Sequence, residues 1–334
     1  MNNGAERGAS FLDVQAERAL KGTVLNATIP GPVQPLEIIT IEDFLRKELP
    51  PREHLLAPWL PRQGLAMIHA YRGIGKTHVA LAVGLAVASG GCALGWKAPS
   101  PAGVLLLDGE MPGPALQERL AAIVASSDSE VSAPFKIMTP DLQPKDRAAF
   151  NLAEVADQEA LETCLKGIDL IIVDNLATIA RSGKSNDAES WLPIQEWALR
   201  QRASGRSVLF IHHSGKSGAQ RGTSAKEDVL DTVIGLRRPS DYEQSQGARF
   251  EIHFEKTRGF SGKDADPLEV ALVSDSQDSM TWTVKPLEDA LFDRVIELHK
   301  EGLSQKEIAE EVQRDKSRIS RMLKRARDEG RVND

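Results

Sequence analysis

From residue 65 onward, continuous apolar runs alternate with stretches of helical periodicity. Three runs, VLLL within 103–110, LIIV within 170–175 and VLFI within 207–213, are apolar at every position. A strand buried on one face alternates, whereas a strand covered on both faces does not. The pattern predicts strands at 65–70, 103–110, 170–175, 207–213, 231–238 and 248–256. Helices are expected at roughly 76–89, 113–126, 157–166 and 190–204. Such alternation predicts an α/β fold, a mainly parallel twisted sheet with helices on both faces. The last two strand segments alternate more and predict an antiparallel edge.

The flanks read differently. Residues 1–36 are polar and end in NATIPGPVQP, which predicts a flexible N-terminal arm. Next, TIEDFLRKEL predicts a short helix with Thr40 at its N-cap. Near residue 286 the pattern changes to short helices only. The expected domains are therefore the arm 1–36, an α/β domain 37–285 and an all-α module 286–334. No internal repeat is evident.

Between the first strand and the first long helix lies AYRGIGKT, residues 70–77. It matches G-x-x-x-x-G-K-[ST] except that Ala70 stands at the first glycine position. Binding a triphosphate requires several inward-turned backbone N–H groups and a bare glycine where the chain passes close to phosphate. Arg72, Gly73, Ile74, Gly75, Lys76, Thr77 and His78 are the expected nucleotide-binding residues. Lys76 supplies a point charge to the β- and γ-phosphates, and Thr77 a hydroxyl to Mg²⁺. The expected cofactors are ATP and Mg²⁺. Asp174, at the carboxyl end of a buried strand, is the expected metal-side carboxylate. Glu110, just beyond another strand, is placed to activate an attacking water, with Asp108 as the alternative.

The order of these elements resembles the RecA-like ATPase core of hexameric replicative helicases. The likeness is greatest to the plasmid-type RepA-like family, and spans roughly residues 55–275. It implies a RecA-like P-loop fold, ATP hydrolysis with Glu110 activating water, and a γ-phosphate sensor at His213. The family's helicases often carry glutamine at the sensor position, and histidine can donate the same hydrogen bond. The resemblance also implies that SGKSGAQRG (214–222) touches single-stranded DNA through Lys216 and Arg221. Lys256 and Arg258, in FEKTRGFSG, match the family's Lys-x-Arg element, which reaches a neighbouring subunit's nucleotide. An arginine acting in trans requires an oligomer, and the family suggests a hexamer.

Beyond the core, SQKEIAEEVQRDKSRISRMLKRARDEG (304–330) begins with a Ser304/Glu307 capping box. Its apolar positions predict two short helices joined by a tight turn, preceded by LFDRVIELHKEG, as in a helix-turn-helix domain. Lys316, Ser317, Arg318 and Ser320 would face base edges of duplex DNA, with Arg321 among the basic residues beside them. The formal charge of the chain is −7, so this basic helix is hidden in the average. Apolar residues at 41% and charged residues at 27% are ordinary for a globular protein. Cys92 and Cys164 have no CxxC or Cys/His neighbourhood, which excludes a disulfide framework and points away from a metal cluster. With no secretory signal and no apolar run of about 18 residues, the expectation is a cytoplasmic protein without a membrane partner. The whole reads as an ATP-hydrolysing DNA-binding protein, a ring-forming helicase or translocase. The alternative is an ATP-dependent oligomeric regulator that binds DNA without unwinding it.

Overall fold

A computed structural model of the protein describes residues 36–181, 188–214, 226–274 and 280–332. The chain divides into two compact units, Met1–Pro51 and Arg52–Asp334. In the first, α1 (Ile41–Arg46) carries the expected cap, Thr40 accepting from Asp43 N–H. None of its residues is buried. The expected arm 1–36 lies outside the described residues except at Leu36, and α1 falls in the first unit rather than with the sheet.

The second unit opens with a small hairpin, β1 (His54–Leu56) and β2 (Leu60–Pro61), before β3 (Leu65–Ala70) and α2 (Lys76–Ser89). A second hairpin, β4 (Cys92–Ala93) and β5 (Trp96–Lys97), leads to β6 (Val104–Asp108), α3 (Gly113–Ala125) and β7 (Phe135–Met138). Then come α4 (Val155–Glu162), β8 (Leu170–Asp174), α5 (Leu176–Ile179), α6 (Ala188–Ala203) and β9 (Ser207–His213). The sheet is completed by β10 (Thr232–Arg237), β11 (Arg249–Thr257), β12 (Leu268–Ser274) and β13 (Met280–Pro286). These form one nine-stranded sheet in the order β13-β12-β11-β10-β3-β9-β8-β6-β7. From β10 to β7 every pairing is parallel, and from β10 to β13 every pairing is antiparallel.

The continuous apolar runs are explained by their two faces. Ala66, Ile68, Leu106, Ile172, Leu209 and Ile211 pack with α2 residues such as Val79 and Val83 in one core. Their neighbours Met67, Leu105, Leu107, Ile171, Val173 and Phe210 pack with Trp191, Ile194 and Trp197 of α6 in the other. Each fully buried aliphatic side chain of this kind contributes roughly 1.5–3 kcal/mol.

The parallel part of the sheet reaches two strands further than expected, β10 at one end and β7 at the other. β10 was predicted as an antiparallel edge, yet it lies parallel to β3 and is buried at all but its last position. β7, β12 and β13 were not predicted. They are short or half-exposed, and their polar positions mask the apolar ones. After β13 come α7 (Leu287–Lys300), α8 (Gln305–Glu311) and α9 (Lys316–Asp328). Phe292, Val295, Ile296, Ile308, Ile319 and Leu323 give these helices a core of their own. Among the described residues, no helix is long and apolar enough to cross a membrane.

Candidate functional site

β3 ends at Ala70 and α2 begins at Lys76, so the glycine-bearing loop spans the turn between strand and helix. Gly73 and Gly75 have φ of 76° and 119°, a left-handed region that L side chains rarely adopt. A Cβ on Gly75 would also lie 3.3 Å from that of Ala248. No side-chain cap takes up the first N–H groups of α2, which leaves them for a ligand at its positive end. Ala70 is the end of a regular strand, which explains why glycine is not needed there.

The Lys76 ammonium is folded back, donating to the carbonyls of Ala70 at 3.1 Å and Tyr71 at 3.0 Å. Burial lowers its pKa to about 8, against the opposing pull of Asp174 and Glu110. Asp174 is 3% exposed, and burial raises its pKa to about 6, while a hydrogen bond from Thr77 works the other way. Its Oδ2 is buried with no hydrogen-bond partner. An orphaned buried carboxylate oxygen beside a threonine hydroxyl is a hard-oxygen donor set that fits Mg²⁺. Among the described residues no cluster of three or more His, Cys, Asp or Glu forms another metal site.

Glu110, Asn175 and His213 close the opposite wall. Asn175 Nδ2 donates to the Glu110 carboxylate and lies 3.2 Å from His213 Nε2, which is itself 3.4 Å from Glu110 Oε2. The Asn175 carbonyl is held by the N–H groups of Ala177 and Thr178, which fixes the orientation of the amide. Burial, then the charge of Lys76, lowers the pKa of His213, keeping the imidazole neutral at physiological pH. Asp108 sits directly beside Asp174 in register, accepts from Met111 N–H at 3.1 Å and is 1% exposed. Burial raises it to about 6. Glu110 lines the cavity and Asp108 does not.

The cavity measures about 580 Å³, a size suited to a nucleotide. The predicted Arg72, Gly73, Ile74, Gly75, Lys76, Thr77, His78, Glu110, Asp174 and His213 all line it. Sequence reasoning missed Asn175, Arg119, Arg238 and Tyr242. Asn175 stands next to the metal-side aspartate, and that adjacency was the available signal. Arg238 and Tyr242 come from a polar loop with no motif. Arg238 donates to the Gly73 carbonyl at 2.6 Å and stacks 3.6 Å over the Tyr242 ring, forming a cationic wall beside the phosphate loop.

The remaining predicted residues lie elsewhere. Lys256 pairs with Val233, towards the end of β10 remote from Ala70. Lys256 and Arg258 both donate to the Asp228 carbonyl, and Lys256 also to that of Glu227. Neither lines the cavity of its own chain. Lys216 and Arg221 lie outside the described residues. Lys316, Ser317 and Arg321 are exposed on α9, whereas Arg318 is half-buried and bonded to Glu288 of α7. The capping box of Ser304 and Glu307 is formed.

A search of curated proteins finds no match to this chain. A family model described as an AAA domain matches residues 32–219, a span that includes the phosphate loop, Glu110, Asp174 and His213. That span is more than half of the sequence, and the chain belongs to the AAA domain family, a P-loop ATPase type of domain.

Proposed function

We propose that this protein hydrolyses ATP with Mg²⁺ in the described cavity and acts on DNA as a ring-forming helicase or translocase of the RepA-like kind. The observation that carries the hydrolytic part is the convergence of Lys76, Thr77, Glu110, Asp174 and His213 on one cavity. The unoccupied N–H groups of α2 and the Lys76 ammonium bind the phosphates, and Lys76 exchanges two carbonyls for phosphate oxygens. Thr77 and Asp174 would hold Mg²⁺, which supplies neutralisation of charge on the β- and γ-oxygens. Glu110, held by Asn175 and facing the cavity, orients water and accepts its proton. His213 reads the terminal phosphate from the end of β9, which lies between β3, the strand leading into the phosphate loop, and β8, the strand ending at Asp174.

The oligomeric part rests on Lys256 and Arg258. They sit towards the sheet end remote from the phosphate loop and serve a nucleotide only if a neighbouring subunit brings one to them. DNA contact is assigned to Lys216 and Arg221 for single strands and to the exposed residues of α9 for duplex. Arg318 is engaged by Glu288, which weakens its claim on bases relative to Lys316, Ser317 and Arg321. The three-helix module with its exposed basic face also favours a second reading, a DNA-bound regulator without unwinding activity.

Steady-state ATPase with single-stranded, duplex or no DNA tests the proposal. Stimulation by single strands that is lost in Arg221→Ala supports the motor. DNA-indifferent turnover, with duplex binding lost in a Lys316→Ala/Arg321→Ala variant, supports the regulator.

A further inference from the structure

A second hydrogen-bonded chain runs beneath the cavity. His69, on β3, is 2% exposed. Its Nδ1 lies 2.8 Å from Ser214 Oγ and its Nε2 2.8 Å from Glu255 Oε2. Arg237 donates to the other oxygen of Glu255 at 2.9 Å. Serine, histidine and carboxylate in that order are the groups of a nucleophilic triad. Ser214, however, is 3% exposed and does not line the nucleotide cavity, so its hydroxyl is out of reach of a substrate there.

Its place in the chain gives it another role. Ser214 directly follows His213, and its N–H donates at 2.9 Å to the Ala70 carbonyl, the same oxygen that receives Lys76. The end of β9 is thus fastened to the end of β3 by one backbone bond and one side-chain bond. Polar contacts hold the His213 ring on one side only. Its Nδ1 is buried without a partner, and only Nε2 meets Asn175 and Glu110. Placement of the imidazole therefore depends on its main chain. The far end of the relay is shaped for its carboxylate. A Cβ on Gly235 of β10 would collide with Glu255 and lie 3.4 Å from His69 Cε1. The hydrogen bond from His69 holds Glu255 down at about 2, so it is an anion that accepts the Nε2 proton. On the other side of the ring, Nδ1 meets the Ser214 hydroxyl and completes the relay.

We propose that Ser214, His69 and Glu255 are positioning residues for ATP hydrolysis, fixing the His213 imidazole beside Glu110 where the terminal phosphate arrives. The inference rests on the ATPase reading above. It is tested on the full chain with Ser214→Ala and Gly235→Ala, the second moving only the Glu255 end. The measurements are kcat, KM for ATP, and calorimetric Kd for Mg–ADP. Both variants are expected to lower kcat roughly ten- to hundredfold, with KM and Kd within about twofold of wild type. Wild-type kcat in both variants would overturn the relay, as would a Kd that weakens in step with kcat. Failure of the wild-type protein itself to bind Mg–ADP would remove the ATPase reading instead, which is a separate result.

Discussion

The parallel and antiparallel halves of the sheet solve different problems. In the parallel half, β6 and β8 are apolar and buried up to an aspartate at the carboxyl end, where burial does the chemical work. There Lys76 is lowered to about 8 and Asp108 and Asp174 are raised to about 6, each mainly by loss of water. In the antiparallel half, the loss of water is offset by pairing with opposite charges. Arg249 lies between Asp241 at 3.1 Å and Glu269 at 3.0 Å, and Asp241 also meets Arg294 of α7 at 3.4 Å. Hard-to-ionise groups suit a site waiting for a charged ligand, whereas paired groups suit a surface that holds elements together.

Arg258→Ala tests this division most severely. It removes an antiparallel-half residue and is expected to lower turnover roughly 10³-fold or more, with nucleotide binding kept. Mixing it with Lys76→Ala chains should restore part of the phosphate release, because one supplies the arginine and the other the site. No recovery on mixing would place Arg258 outside catalysis in trans. Glu110→Gln follows, with an expected loss of roughly 10²–10⁴-fold in single-turnover rate and retained ATP binding. Asp108→Asn should leave that rate within a few-fold; the opposite pair of results would exchange their roles.

The pH dependence sharpens the comparison further. Lys76 in the free protein titrates near 8, so above that pH binding of a triphosphate requires uptake of a proton. ATP affinity should fall above pH 8 by at most about tenfold per unit, as titration calorimetry would show. The smallest effect concerns stability. The folded pKa of Asp108, about 6, exceeds its ordinary 3.8, so the native state holds the proton more tightly. Its burial cost is absent below about pH 4 and complete above about pH 6. Asp108→Asn should therefore stabilise the fold by about 1–3 kcal/mol at pH 7.5 and leave it unchanged near pH 4, measured by urea unfolding.

The parallel half was legible because its physics is local. Runs such as LIIV and VLFI have no polar position to confuse their reading, and each ends at Asp174 or His213 within the same stretch. The phosphate loop was legible because glycine conformation and lysine charge recur at fixed spacing. The antiparallel half resisted because β12 and β13 mix Glu, Thr and Lys with apolar residues, and only pairing shows which face is covered. Arg238 and Tyr242 reach the cavity across the sheet from a loop with no pattern, so no spacing announces them. The Ser214–His69–Glu255 chain was illegible for a related reason: hydrogen bonds between residues distant in sequence leave no periodic trace.

Calorimetric titration of the purified chain with Mg–ATPγS, beside Lys76→Ala, addresses the nucleotide site directly. One molecule bound per wild-type chain, with affinity reduced at least a hundredfold in Lys76→Ala, is the predicted result. Heat of binding that is unchanged by the substitution, or absent from folded wild-type protein, would contradict it.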